Sequence, residues 1–144
     1  MNRVRFLMEI ERPTPEIVAA VEGAVTWLPS VAIHGVRLEP FTAEGKTDRR
    51  IVPDPTAPPL WARFYQPGTN RAIFLGRDSV VRYAFSEIEH ERRNGYAYYG
   101  AWPARLLADD YPRWRKTHEA HLARSARPRI PHRFVRRPWR SPAH

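Results

Sequence analysis

Apolar residues recur at helical spacing early in this chain and then give way to segments punctuated by proline and crowded with aromatic rings. Ile17, Val21, Val25 and Leu28 fall on one helical face. Thr14 stands where an N-cap belongs, Pro15 suits the first helical position, and Glu16 favours the positive end of the helix dipole. The pattern predicts an amphipathic helix that buries this face and stops before Pro29. The segment "VAIHGVRLE", Val31 to Glu39, reads as extended, with His34 a lone structural histidine.

Further along, "EGKTDRRIVPDPTAPPLW" places Gly45 at a turn and four prolines (Pro53, Pro55, Pro58 and Pro59) in a short span, which predicts stiff polyproline-like backbone. "RAIFLGRDSVVRYAF" predicts a β-hairpin turning at Gly76 to Ser79. Ser86 and Glu89 have the spacing of a capping box opening the helix "EIEHERRN", which Gly95 can end. "GYAYYGAWP" sets Tyr96, Tyr98, Tyr99 and Trp102 among glycines. Pro103 then starts a short helix through Leu107, and "YPRWRKTHEAHLARSA" forms one more. The expected class is mainly α with a small β-hairpin.

Charge changes the picture only at the end of the chain. Of 24 Lys+Arg and 15 Asp+Glu, residues 1–110 hold 14 of each, whereas residues 111–144 hold 10 basic residues and one acid, Glu119, so the net +9 sits there. Residues 1–115 are expected to form the folded portion. Residues 116–144 form a basic Pro/Arg-rich tail, helical at its start and disordered from roughly 127 onward. No cysteine is present, which excludes disulfides, a thiol nucleophile and a Cys-ligated metal. No apolar run reaches the roughly 20 residues of a membrane span, and none after Met1 is long enough for a signal peptide.

Phosphate loops, HExxH and Cys/His zinc spacings are missing. Asp109-Asp110 reads as a solvated helix cap, and Ser79 and Ser86 lack a well-placed histidine. What remains is "PPLWARFYQPGTN", where Trp61, Arg63 and Tyr65 alternate and so share one side of an extended chain. Flat rings suit sugar faces, and a guanidinium fork grips a carboxylate. An acidic polysaccharide offers both. Two other readings stay open on the pattern alone: Trp61 and Tyr65 as core with Arg63 in an ion pair, or nucleic acid as the ligand.

The landmarks "DPTAPPLWARFY", "GTNRAIFLGRD" and "ERRNGYAYYGAWP", together with the helix "FLMEIERPTPEIVAAVEGAVTWL", resemble the C-terminal part of the family-ten polysaccharide lyases, which are pectate lyases. The resemblance spans approximately residues 6–115. It implies part of an (α/α) toroid-type domain, incomplete at this length, and a truncated or fragmentary product inactive alone. It also implies a secreted or periplasmic protein acting on polygalacturonate; composition and charge leave no membrane partner expected and nucleic acid only through the basic tail. The implied chemistry is Ca²⁺-dependent β-elimination across α-1,4-galacturonan, with an arginine as base. By motif position Arg63 and Arg77 resemble arginines that hold uronate carboxylates, and Tyr65, Asn70 and Tyr98 are further substrate-binding candidates. The family's Ca²⁺ ligands and proton-abstracting arginine are expected upstream of the residues present here. None of Asp48, Asp54 and Asp78 is assigned to calcium, and no catalytic residue is assigned.

Overall fold

Thr14 does cap the predicted helix: its Oγ1 accepts from the Ile17 N–H, and Pro15 occupies the first turn. In the computed structural model, which describes residues 2–125, this helix is α2, Pro15–Ser30. It follows a short α1, Asn2–Met8. Pro29 lies in the last turn of α2 instead of just beyond it, where the helix is already tightening toward 3₁₀ geometry: the Val31 and Ala32 N–H groups donate to the Leu28 and Pro29 carbonyls.

The expected class needs correction. The chain is a mixture of helix and strand, with three separate two-stranded antiparallel sheets, not a mainly helical unit with one hairpin. The largest sheet pairs β1, Val36–Ala43, with β2, Lys46–Pro53, from Val36↔Pro53 to Ala43↔Lys46. The span expected to be polyproline-like is therefore half strand. Pro40 and Pro53 fit there because a two-stranded ribbon has only edges, where an absent N–H costs no ladder bond. The two-residue turn is Glu44–Gly45, both with positive φ (50° and 73°), the twist that hairpins favour.

The second sheet pairs β3, Trp61–Ala62, with a strand from the aromatic loop, Tyr99–Gly100. The third is the hairpin read from the sequence, β4, Phe74–Leu75, with β5, Val81–Arg82. A 3₁₀ turn, Phe85–Glu87, precedes α3, His90–Gly95. The Ser86–Glu89 box does not form. Glu87 instead reaches back to accept from the Ala84 N–H, and α3 starts a turn later than expected and ends at Gly95. The strand Tyr99–Gly100 is β6.

From Trp102 the chain is helical to Ser125, through α4 (Trp102–Arg105), a π turn (Leu106–Asp110) and α5 (Tyr111–Ser125). The two helices expected after Pro103 are thus joined. Asp110 is not a solvated cap: Arg5 Nε on α1 donates to it at 2.7 Å. The expected boundary at 115 falls inside α5, and the disorder expected from 127 lies outside the described residues.

Two apolar clusters support these pieces. Leu28, Val31, Trp61 and Leu106 pack the ends of α2 and the π turn around β3. Phe74, Phe85, Ile88 and Tyr98 pack the short hairpin against the first sheet through Leu38 and Ile51. Asp48 is the buried charge of the second region. Arg93 on α3 grips it with two guanidinium nitrogens, the Asn94 amide and the Arg49 N–H also donate to it, and these bonds hold its carboxyl well below the ordinary range.

Candidate functional site

Strand β3 sits beside the C-terminal end of α2, whose last carbonyls need donors. Trp61 Nε1 donates to the Leu28 carbonyl at 2.8 Å, and the Tyr65 hydroxyl donates to that of Val31 at 2.9 Å. The same hydroxyl accepts from the Ala62 N–H, and burial raises its pKa above the usual phenol value. Trp61, only 4% exposed, is therefore a core residue whose indole edge borders a cavity.

That cavity, about 530 Å³, is lined by Arg3, Trp27, Trp61, Arg63, Tyr65 and Trp102 among others. The alternating residues Trp61, Arg63 and Tyr65 thus do line one space. Trp27 stands edge-on to Tyr65, with ring centres 5.2 Å apart, and its Nε1 donates to Asn70 Oδ1 at 3.0 Å. Asn70 holds a positive φ of 55°, which its short side chain tolerates better than most. A second hollow on the other side of Trp27 and Tyr65, about 500 Å³, also touches Arg63 and is bordered by Asn70.

Arg63 has the most constrained arginine in this cleft. Its backbone N–H donates to the Tyr98 carbonyl at 2.8 Å and its Nε to that of Ala97 at 3.0 Å. Its guanidinium lies over the rings of Tyr96 and Trp102, 5.0 and 5.1 Å from their centres. Arg5, Arg37, Arg50, Arg77, Arg82, Arg93 and Arg105 are paired with carboxylates. Among the described residues neither Arg3 nor Arg63 has such a partner, and no Asp or Glu lines their cleft. Two guanidiniums, one of them over aromatic faces, in a cleft with no carboxylate of its own leave room for an external anion to pair with them.

The other expected site residues lie elsewhere. Tyr98 is 2% exposed in the second apolar cluster, and its hydroxyl donates to the Leu75 carbonyl, so it has no surface to offer a sugar. Arg77 lines neither hollow. On the turn of the short hairpin it forms a two-pronged pair with Glu91 at 2.7 and 2.6 Å, with its side chain 69% exposed. Arg3, Trp27 and Trp102 were not expected as site residues. Trp27 had a signal: it sits one position before Leu28, beside the apolar stripe of α2 but off it.

A calcium ion takes about six to eight oxygen ligands. The cleft offers no carboxylate, and Asp48, Asp54 and Asp78 are committed elsewhere: Asp48 to Arg93, Asp78 to Arg82, and Asp54 to Thr56 and Arg37. Among the described residues no three His, Asp or Glu side chains gather in a metal-holding group. The cleft residues of this chain do not fit that ion.

The profile of a family described as pectic acid lyase matches residues 1–107. Two similar solved structures are a family 10 polysaccharide lyase from Cellvibrio cellulosa (TM-score 0.62, 28% identity, covering 79% of this chain and 34% of that one) and a point mutant of a family 10 polysaccharide lyase from the same organism in complex with trigalacturonic acid (TM-score 0.60, 28% identity, covering 76% of this chain and 33% of that one). The chain spans about a third of the length of these relatives. Among curated proteins nothing matches it.

Proposed function

The chain belongs to the pectic acid lyase family, and from that premise we propose that its cleft is a uronate-binding wall of a pectate lyase site. The observation that carries this reading is Arg63, seated over two rings in a cleft without carboxylates. In polygalacturonate every sugar bears a carboxylate beside C5. A guanidinium paired to that carboxylate draws charge away from it and acidifies the C5 proton. In β-elimination the C5–H and C4–O bonds break, a C4=C5 double bond forms, and the departing O4 takes a proton. Arg63 and Arg3 would bind and orient the uronate and stabilise charge that grows toward its carboxylate. Tyr65 and Trp27 would give the sugar ring an apolar surface, and Asn70 would act through Trp27. Arg77 would meet the polymer outside the cleft, exchanging Glu91 for a uronate. No residue of this chain is assigned the proton transfer. A pectic substrate of this kind would be met by a secreted or periplasmic protein.

Trigalacturonate titrated into the chain tests the reading. Arg63→Ala is expected to weaken binding by at least about tenfold, the scale of a charge-assisted two-pronged contact. Equal binding by the variant and the parent, or no binding by the parent, would overturn it.

A further inference from the structure

Gly100 has its own reason to be glycine. It lies in β6 opposite Trp61, so the strand pair fixes its backbone. A Cβ built there would lie 2.5 Å from Trp102 Cε2 and 2.6 Å from Cζ2, distances that real side chains do not tolerate. The Trp102 indole therefore occupies the space that a side chain at Gly100 would need. Pro103 follows it and is buried, so the backbone that carries the indole is restricted. The ring resting on Gly100 is one of the two that underlie the Arg63 guanidinium.

We propose that Gly100 and Trp102 are positioning residues for the carboxylate site: the missing Cβ gives the indole its place, and the indole with Tyr96 holds the Arg63 guanidinium ready. The Nε bond to the Ala97 carbonyl fixes the rotation of the guanidinium, and the rings fix its plane. The two Nη groups are what remains for a ligand, and they form the pair that matches the two oxygens of one carboxylate. An arginine already held in this way loses less side-chain freedom on binding than a mobile one. The inference rests on the uronate reading for the identity of the ligand, but the seat itself is visible without one.

The test joins trigalacturonate titration with the Arg63 Nε–H resonance in ¹H–¹⁵N spectra of the whole chain. In the parent this signal is expected to stand apart, displaced by the two rings. Gly100→Ala and Trp102→Leu should each return it toward the position of a solvent-exposed arginine and weaken binding by about tenfold. Trp102→Phe should restore part of both. Gly100→Ala added to Trp102→Leu should change nothing further, because no indole is left to displace. Should Gly100→Ala fail to fold, Trp102→Leu and Trp102→Phe carry the comparison. An unmoved Arg63 signal, unchanged affinity, or an additive double variant would overturn the proposal. A parent that binds no trigalacturonate would overturn the uronate reading, and the resonance would then decide the seat alone.

Discussion

Arg63 and Arg77 bear the same group in opposite circumstances. Arg63 is held by a carbonyl and two rings and meets no acid among the described residues, whereas Arg77 is neutralised by Glu91 on an exposed surface. An exposed pair of this kind contributes little net stability, so a uronate can displace it at little cost. Glu91→Gln should therefore strengthen retention on polygalacturonate by about two- to threefold, and the gain should vanish in Arg77→Ala, as measured by affinity electrophoresis. If Glu91→Gln gains as much without Arg77, the outlying contact is elsewhere. The aromatic positions were only partly legible at this scale. Alternation placed Trp61, Arg63 and Tyr65 on one side, but which rings lie in the core depends on partners far along the chain. Tyr98 is buried by Phe74 and Phe85, which no local pattern reveals.

Elements show the same division. The capped α2, the short hairpin and the stop at Gly95 were legible because their signals are local. The ribbon of β1 and β2 was not, because both its strands are edges and neither shows a clean buried face. Beside the apolar contacts of Leu38 and Ile51, this ribbon is docked by Asp48 with Arg93, 45 residues apart. Asp48→Ala would strand a half-buried guanidinium and should cost about 3 kcal/mol, seen as a lower urea midpoint. The acid side of stability follows from the sign of the shift. The folded carboxyl titrates below its ordinary value of 3.8, so its contribution is complete above that pH and is lost as pH falls through the lower, folded value. Between about pH 4 and 2 the parent should lose stability more steeply than Asp48→Ala. Parallel slopes in urea melts across that window would remove Asp48 from the acid response.

At the level of the whole molecule, the cleft lies where α1, the end of α2, β3 and the start of α4 converge, so its walls come from both ends of the folded chain. The π turn governs how the far side of that arrangement is aligned. A π turn holds one residue more than an α-helix needs, and each helical residue turns the axis by about 100°. Leu106–Asp110 thus acts like an offset tooth in a gear, setting α5 in phase with the rest. Were the same residues wound as regular α-helix, every later side chain would swing by about a quarter turn. Asp110 would leave Arg5, Trp114 would leave its buried berth, and Tyr111 would lose Glu22. Deleting Ala108 takes out the extra residue and leaves the later faces in phase, so it should lower the melting temperature less than deleting Arg113 from the regular first turn of α5, whereas equal losses would mean the offset is idle.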